Sequence, residues 1–186
     1  QEGVDEGFLS RSGKLQRLEE ILEEVIDAGD RALLFTQFAQ WGHLLQAYLQ
    51  QRWRFEVPFL HGSTTKKDRQ ALVDRFQEDP RGPQLFLLSL KAGGVGLNLT
   101  AASQIVFNDL DWVPANHWQA EDRAYRIGQQ SRVQAAYMVA ARTIDEFVQM
   151  VLQAKAALIS AVIDGEGLEE AIGGDVLTEL QNLMRN

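Results

Sequence analysis

Short apolar runs alternate with amphipathic helical segments along most of this chain of 186 residues. The first apolar run, residues 31–36 (RALLFT), follows a segment at 14–28 in which leucine, isoleucine and valine recur at helical spacing. Such alternation predicts a parallel sheet with helices on both faces, because parallel strands must be joined by long crossover connections. The pattern therefore predicts an α/β fold, and the length suits one domain.

The same alternation continues towards the C-terminus. We predict strands at 31–36, 55–60, 85–89, 104–108 and 133–140. We predict helices at 14–28, at 39–51, from a Ser63 or Thr64 cap to 78, from Pro114 onwards, at 144–163, and at 175–184 after two glycines. Ligands of parallel sheets bind beyond the carboxyl ends of the strands. The side chains that follow each predicted strand are therefore the candidates for a functional site.

Composition excludes some kinds of protein. No apolar run approaches the roughly 20 residues that span a bilayer, so we expect no membrane association. The absence of cysteine excludes disulfides and thiolate metal sites. The three histidines, His43, His61 and His117, lack the spacing of metal ligands, and we expect no metal site in this chain.

Charge is unevenly distributed along the chain. The formal net charge is −8, and both ends are acidic, with net charges of −6 over residues 1–30 and −5 over 164–186. The central residues 31–163 carry a net charge of +3. Because phosphate binding depends on local basic clusters, the total charge neither supports nor excludes DNA as a partner.

A glycine-rich segment (SLKAGGVGLNLT) begins at Ser89, at the end of the third predicted strand. Its glycines, including Gly94 and Gly96, let backbone N–H groups approach an anion closely. Ser89 and Lys91 can reach phosphates, and Asn98 can hydrogen-bond a sugar hydroxyl. A tight strand-to-helix connection without a ligand is the alternative. No G-x-x-x-x-G-K-[ST] motif occurs in the chain, so we expect it to assist nucleotide chemistry without holding a triphosphate alone.

The segment QAEDRAYRIGQ, residues 119–129, is the second informative motif. On a helix, the spacing of Gln119, Arg123 and Arg126 would place an amide and two guanidinium groups along one face. Gly128 could cap that helix. A planar, permanently charged fork suits the charge that develops on a transferring phosphoryl group. The alternative is a solvated face whose acidic residues neutralise the two arginines.

Together these segments resemble the second RecA-like lobe of the SWI/SNF family of double-stranded-DNA translocases, within the superfamily-two helicases. The run LLFTQF that ends at Phe38 resembles motif IV of that family, and HGSTT from His61 resembles the next block. The glycine-rich segment resembles motif V, and residues 119–129 resemble motif VI almost letter for letter. The sequence as a whole looks closer to the prokaryotic members of the family than to its chromatin remodellers.

The resemblance implies a RecA-like parallel sheet, use of ATP with Mg²⁺, and binding of double-stranded DNA. It also implies site residues in three groups. These are the arginine fingers Arg123 and Arg126; Gln119, Gly94, Gly96 and Asn98 on the nucleotide side; and Gln37, Phe38, Ser89 and Lys91 towards the DNA backbone.

The implied domain organisation has three parts. Residues 1–11 would be a linker from an N-terminal RecA-like lobe, 12–165 the C-terminal lobe, and 166–186 an acidic helical tail. The first lobe would hold most of the ATP and Mg²⁺, since this chain has neither a Walker A lysine nor a D-E-x-[HD] motif. Alone, the chain is expected to be monomeric and inactive as an ATPase. It would act in the cytoplasm, at the nucleoid, in a prokaryote, or in the nucleus of a eukaryote.

Several positions depart from the family pattern. The W-W-N-P sequence ahead of motif VI reads Asp111-Trp-Val113-Pro here, His117 replaces a common acid, and Tyr125 replaces the usual histidine. An RNA helicase lobe and a non-catalytic interaction module of the same fold remain the alternative interpretations. The basic cluster at 66–69 is equally consistent with a solvated helix start and with a phosphate-binding patch.

Overall fold

The computed structural model describes residues 12–91, 97–125 and 132–164. Five strands form one parallel sheet in the order β2-β3-β1-β4-β5. The strands are β1 (Ala32–Thr36), β2 (Phe59–Leu60), β3 (Leu85–Ser89), β4 (Gln104–Phe107) and β5 (Gln134–Tyr137). The helices are α1 (Gly13–Asp27), α2 (Ala39–Trp53), α3 (Lys66–Glu78), α4 (Pro114–Glu121) and α5 (Ile144–Asp164). The predicted α/β class with a parallel sheet is confirmed.

Alternate residues of β1 enter two separate cores. Leu33 and Phe35 pack with residues of α3 and α4 on one face of the sheet. Ala32 and Leu34 pack with residues of α1 and α2 on the other face. Because successive side chains of a strand point to opposite faces, a strand covered on both sides must be apolar throughout. All five residues of β1 are buried, which explains why this run has no polar alternation.

The predicted strand 55–60 is too long. Only Phe59–Leu60 is strand, because side chains of α2 bind the backbone just before it. Val57 N–H donates to Gln50 Oε1 over 3.1 Å, and the Val57 carbonyl accepts from Gln46 Nε2 over 2.8 Å. These bonds replace the ladder bonds of a strand at Val57 and hold the chain against α2.

The predicted cap of α3 is also corrected. Thr65, and neither Ser63 nor Thr64, is the N-cap, since its hydroxyl accepts from Asp68 N–H over 3.2 Å. Thr64 Oγ1 instead accepts from His61 N–H over 3.0 Å and closes the preceding turn. Three consecutive hydroxyl residues could each have been the cap, and the fold of the turn decides among them.

Apart from the helix that begins at Pro114, which ends earlier than predicted at Glu121, the other predicted elements among the described residues agree with the structure within a few residues. The predicted helix at 175–184 lies outside the described residues. Among the described helices, none combines the length and the apolar character that crossing a membrane requires.

Candidate functional site

The carboxyl ends of three neighbouring strands meet at one edge of the sheet. Thr36 of β1 is in register with Ser89 of β3. Leu90 N–H donates to the Thr36 carbonyl, and Asn108 N–H donates to the Phe35 carbonyl, each over 2.9 Å. These bonds place the β1–α2 loop between the end of β3 and the connection that follows β4. We call this side of the sheet the carboxyl edge.

The β1–α2 loop presents Gln37 and Phe38 at the carboxyl edge. Gln37 is half-buried, and its Nε2 donates to the Leu110 carbonyl over 2.8 Å. Phe38 is the N-cap residue of α2 and its ring is 57% exposed. The Phe38 side chain therefore presents apolar surface to solvent at the carboxyl edge.

The residues that follow β3 lie on either side of an undescribed gap. Ser89 is the last residue of β3 and is only 5% exposed, whereas Lys91 is exposed. Gly94 and Gly96 lie outside the described residues. Asn98 is exposed, between Leu97 and Leu99, which are both buried.

The segment after α4 differs from the predicted continuous helix. The α-helix ends at Glu121, and Arg123 lies in the turn that follows it. Arg123 N–H donates to the Ala120 carbonyl over 3.3 Å, three residues back instead of four, and Ala124 is fully buried in the core. The prediction that Gln119 and Arg123 share one helix face is therefore wrong. Gln119 is exposed, whereas Arg123 is only 8% exposed. Arg126 and Gly128 lie outside the described residues.

One main-chain bond joins the two informative motifs. Leu99 N–H donates to the Arg123 carbonyl over 2.9 Å. Leu99 follows Asn98 directly, so the end of the glycine-rich segment and the arginine-bearing turn are neighbours in space although they are far apart in the sequence. The structure thus brings the main chain of the two motifs together.

The connection between β4 and α4 explains two of the departures from the family pattern. Val113, the N-cap residue of α4, offers no side-chain cap. Asp111 supplies an equivalent, since its carboxylate accepts from Val113 N–H over 3.0 Å and from Asn116 Nδ2 over 2.9 Å. His117 Nε2 lies 3.0 Å from Asp111 N and its side chain is almost fully buried. Asp111 and His117 therefore stabilise the start of the helix that leads to Arg123.

Sequence reasoning missed Asp109. It is the second residue after β4, a position equivalent to those of the other candidates, and this placement was the signal that could have identified it. Its carboxylate accepts a bond from Gln37 N–H over 2.6 Å and one from Thr36 Oγ1 over 2.5 Å. Asp109 therefore belongs to the carboxyl edge.

Tyr137, at the end of β5, contacts α4. Its hydroxyl donates to a carboxylate oxygen of Glu121, at the last residue of α4. Burial, followed by this hydrogen bond and the charge of Glu121, raises the pKa of Tyr137 well above its usual value of 10. The phenol therefore stays protonated and neutral at physiological pH, and it remains a donor to the end of α4.

The loop after β2 contains His61 and Ser63, and His61 lies close to His43 of α2. Ser63 Oγ lies 2.9 Å from His61 Nδ1, and the rings of His43 and His61 are 4.8 Å apart. Burial, and then the nearby His43, lower the pKa of His61 below 6.5. Within the described ranges, no three histidine or carboxylate side chains come together as a metal site would require.

Comparison with known proteins identifies the family of this chain. The family model of the helicase conserved C-terminal domain matches residues 13–128. A Bacillus subtilis protein described as an ATP-dependent helicase/translocase, YwqA, is 38% identical over 93% of this chain and 18% of its own length. The chromatin-remodeling ATPase INO80 of Neurospora crassa is 39% identical over 90% of this chain and 8% of its own length. The chain thus spans less than a fifth of either relative.

A solved structure gives the same result for the fold. The SWI2/SNF2 ATPase core of Sulfolobus solfataricus in complex with double-stranded DNA superposes with a TM-score of 0.68 and is 34% identical. The match covers 88% of this chain and 34% of the Sulfolobus chain. The bacterial and fungal identities are nearly equal, so they do not favour a prokaryotic type. This chain belongs to the helicase conserved C-terminal domain family, and its relatives are SWI/SNF-family ATPases.

Proposed function

We propose that this chain is the second ATPase lobe of an enzyme that translocates along double-stranded DNA or remodels its complexes. The observation that carries the proposal is the bond between Leu99 N–H and the Arg123 carbonyl. It places the arginine turn beside the residue that follows Asn98, in the segment that begins with Ser89 and Lys91 at the carboxyl edge. The glycine-rich segment would then connect a DNA-facing group at its start with a nucleotide-facing group at its end.

The proposed nucleotide side consists of two groups. Arg123 and Arg126 would act as arginine fingers towards the γ-phosphate of ATP, and Gln119, Gly94, Gly96 and Asn98 would line the same cleft. A guanidinium suits this role because its donors form a planar fork and its charge is permanent. The described residues of this lobe contain no cluster of Mg²⁺-binding carboxylates. Mg²⁺ and most of the ATP contacts are therefore assigned to an N-terminal RecA-like lobe.

The proposed DNA side consists of Gln37, Phe38, Ser89 and Lys91. Lys91 is exposed and can contact a backbone phosphate, while Ser89 is buried at the carboxyl edge. Contacts of this kind give binding that is largely independent of sequence and weakens as salt rises. Closure of the two lobes would bring Arg123 and Arg126 to the nucleotide, and reopening would let the DNA side advance along one strand.

The remaining assignments follow from this proposal. Residues 1–11 would link the two lobes, 12–165 would form this lobe, and 166–186 would form an acidic tail. The chain alone would be monomeric and inactive as an ATPase, and it would act at the nucleoid of a prokaryote or in the nucleus of a eukaryote.

The test is ATP hydrolysis by a protein that joins a first RecA-like lobe to this chain. We expect stimulation by duplex DNA that exceeds stimulation by single-stranded RNA. Stronger stimulation by RNA would favour an RNA helicase lobe, and an ATPase rate insensitive to both would favour an interaction module. Hydrolysis stimulated by DNA in the isolated 186 residues would contradict the assignment of half an active site to this chain.

A further inference from the structure

Asp109 receives three hydrogen bonds at the carboxyl edge. Thr36 Oγ1 donates over 2.5 Å and Gln37 N–H over 2.6 Å, to different oxygens of the carboxylate. Asn108 Nδ2 donates over 3.3 Å to the oxygen that also accepts from Thr36. The Thr36 side chain is fully buried, so the carboxylate is held on one side by a rigid strand.

The bonds of Asp109 reach Phe38 as well. Phe38 N–H donates to Thr36 Oγ1 over 3.2 Å, while the Thr36 hydroxyl donates to Asp109. The backbone N–H groups of Gln37 and Phe38 are therefore both fixed by this carboxylate, one directly and one through the hydroxyl. α2 has no side-chain cap of its own at Phe38, and a negative charge beside a helix N-terminus is favourable.

The same connection also contacts the start of α4, the helix that precedes the arginine turn. Two residues after Asp109, Asp111 binds Val113 and Asn116 at the start of α4. α4 leads directly into the turn that carries Arg123. A single short connection, residues 108–113, thus contacts the loop with Gln37 and Phe38 at one end and the helix before Arg123 at the other.

We propose that Asp109 is a positioning residue that holds Gln37 and Phe38 in the conformation that binds DNA, and that residues 108–113 couple this loop to the arginine turn. The inference rests on the proposed function, because it needs Gln37 and Phe38 to contact DNA. Asp109 itself acts through the loop and touches neither nucleotide nor DNA.

The first experiment concerns the loop alone and uses the chain of 186 residues. Amide hydrogen exchange at Gln37 and Phe38 should be at least about 10-fold faster in Asp109→Asn, since hydrogen bonds to a charged acceptor are stronger than those to a neutral one. Asp74→Asn is the matched control, because Asp74 is exposed on α3 and binds only Gln70 among the described contacts. Unchanged exchange at both amides in Asp109→Asn would overturn the positioning role.

The second experiment uses the two-lobe protein and the pair Thr36→Val and Thr36→Ser. Serine keeps the hydroxyl between Phe38 N–H and Asp109, whereas valine removes it without a large change in shape. Thr36→Val and Asp109→Asn should each raise the duplex DNA concentration for half-maximal ATPase stimulation about 5- to 10-fold, with the KM for ATP within twofold of wild type. Thr36→Ser should stay near wild type, and the double variant should resemble the single ones because both break one network.

The two hypotheses fail in different ways. A wild-type protein without any DNA stimulation would refute the proposed function, even if the exchange experiment supported the positioning of the loop. A stimulated wild-type protein whose DNA requirement is unchanged by Asp109→Asn and Thr36→Val would refute the coupling alone. A rise in the KM for ATP equal to the rise in the DNA requirement would also refute it, since that result indicates a general loss of structure.

Discussion

The two edges of the sheet differ in the side chains that they leave in solvent. At the amino edge, where the strands begin, polar side chains bind the main chain of neighbouring segments. The Arg31 guanidinium donates to the carbonyls of Phe76 and Asp79, and Gln84 Nε2 donates to the Ile26 carbonyl over 3.2 Å. At the carboxyl edge, Gln37 and Asp109 also bind main-chain groups, but Phe38 and Lys91 lie in solvent.

This difference distinguishes side chains that stabilise the fold from those that remain available to a ligand. Backbone groups left without partners are costly, so side chains that bind them stabilise the fold. Exposed groups at the carboxyl edge contribute little to folding and remain available to a ligand. Substitutions at the amino edge should therefore reduce stability, and those at the carboxyl edge should reduce activity.

The largest expected effect is that of Arg123→Lys in the two-lobe protein. Lysine keeps the charge but lacks the planar fork, so we expect the DNA-stimulated ATPase rate to fall about 10³-fold or more. Steady-state ATPase assays at saturating DNA measure this change. Arg17→Lys is the control, since the Arg17 side chain is 61% exposed on α1. A rate within tenfold of wild type would remove Arg123 from the catalytic group.

Arg31→Ala tests the amino edge. It removes charged donors from the carbonyls of Phe76 and Asp79, and we expect the free energy of unfolding to fall by about 2–3 kcal/mol. Denaturant unfolding of the chain measures it, and the ATPase rate per folded two-lobe molecule should be unchanged. Arg52→Ala is the control, because Arg52 pairs with Glu19 and Glu23 at the surface and should contribute less than about 1 kcal/mol. An equal loss in both variants would contradict the structural role of Arg31.

Phe38→Ala tests the carboxyl edge with a smaller expected effect. The DNA concentration for half-maximal stimulation should rise about fivefold, because an apolar contact with the partner is lost. The free energy of unfolding should change by less than about 0.5 kcal/mol, since the ring is 57% exposed. Leu44→Ala, on the exposed face of α2, is the matched control and should change neither quantity. A large loss of stability in Phe38→Ala would mean that the ring packs in the fold.

The smallest expected effect concerns Asp145, an exception at the carboxyl edge because its role is structural. Burial by itself would raise the pKa of Asp145, but hydrogen bonds from Lys14 and Ala140 N–H and the Lys14 charge lower it below 3.8. A carboxyl with a lowered folded pKa contributes stability above its unfolded pKa and loses it as pH falls through the folded value.

The free energy of unfolding of the wild type should therefore exceed that of Asp145→Asn by about 1 kcal/mol near pH 6. This difference should shrink below about pH 4. Thermal unfolding from pH 6 to pH 3 measures it. Lys14→Met should show the same pH dependence, because it removes the other half of the 2.6 Å ion pair. A difference that persists unchanged at pH 3 would show that the charge of Asp145 is not its source.

The order and type of the elements could be predicted from the sequence because they depend on local patterns. β1 is apolar throughout since both of its faces are covered, and α1 repeats its leucines at helical spacing for one core. The positions of Gln37, Phe38, Ser89 and Lys91 at one edge followed from the parallel order of the strands. Motif VI was identified from its letters, although the helix inferred for it extends too far.

Only the tertiary structure decided the contacts between distant segments. The sequence cannot show that Leu99 binds the Arg123 carbonyl or that Asp109 holds the β1–α2 loop, because each depends on a partner many residues away. Local propensity determines which segments can be strand or helix, but a hydrogen bond across the sheet forms only where packing brings donor and acceptor within about 3 Å. The end of the glycine-rich segment lies beside the arginine turn for that reason.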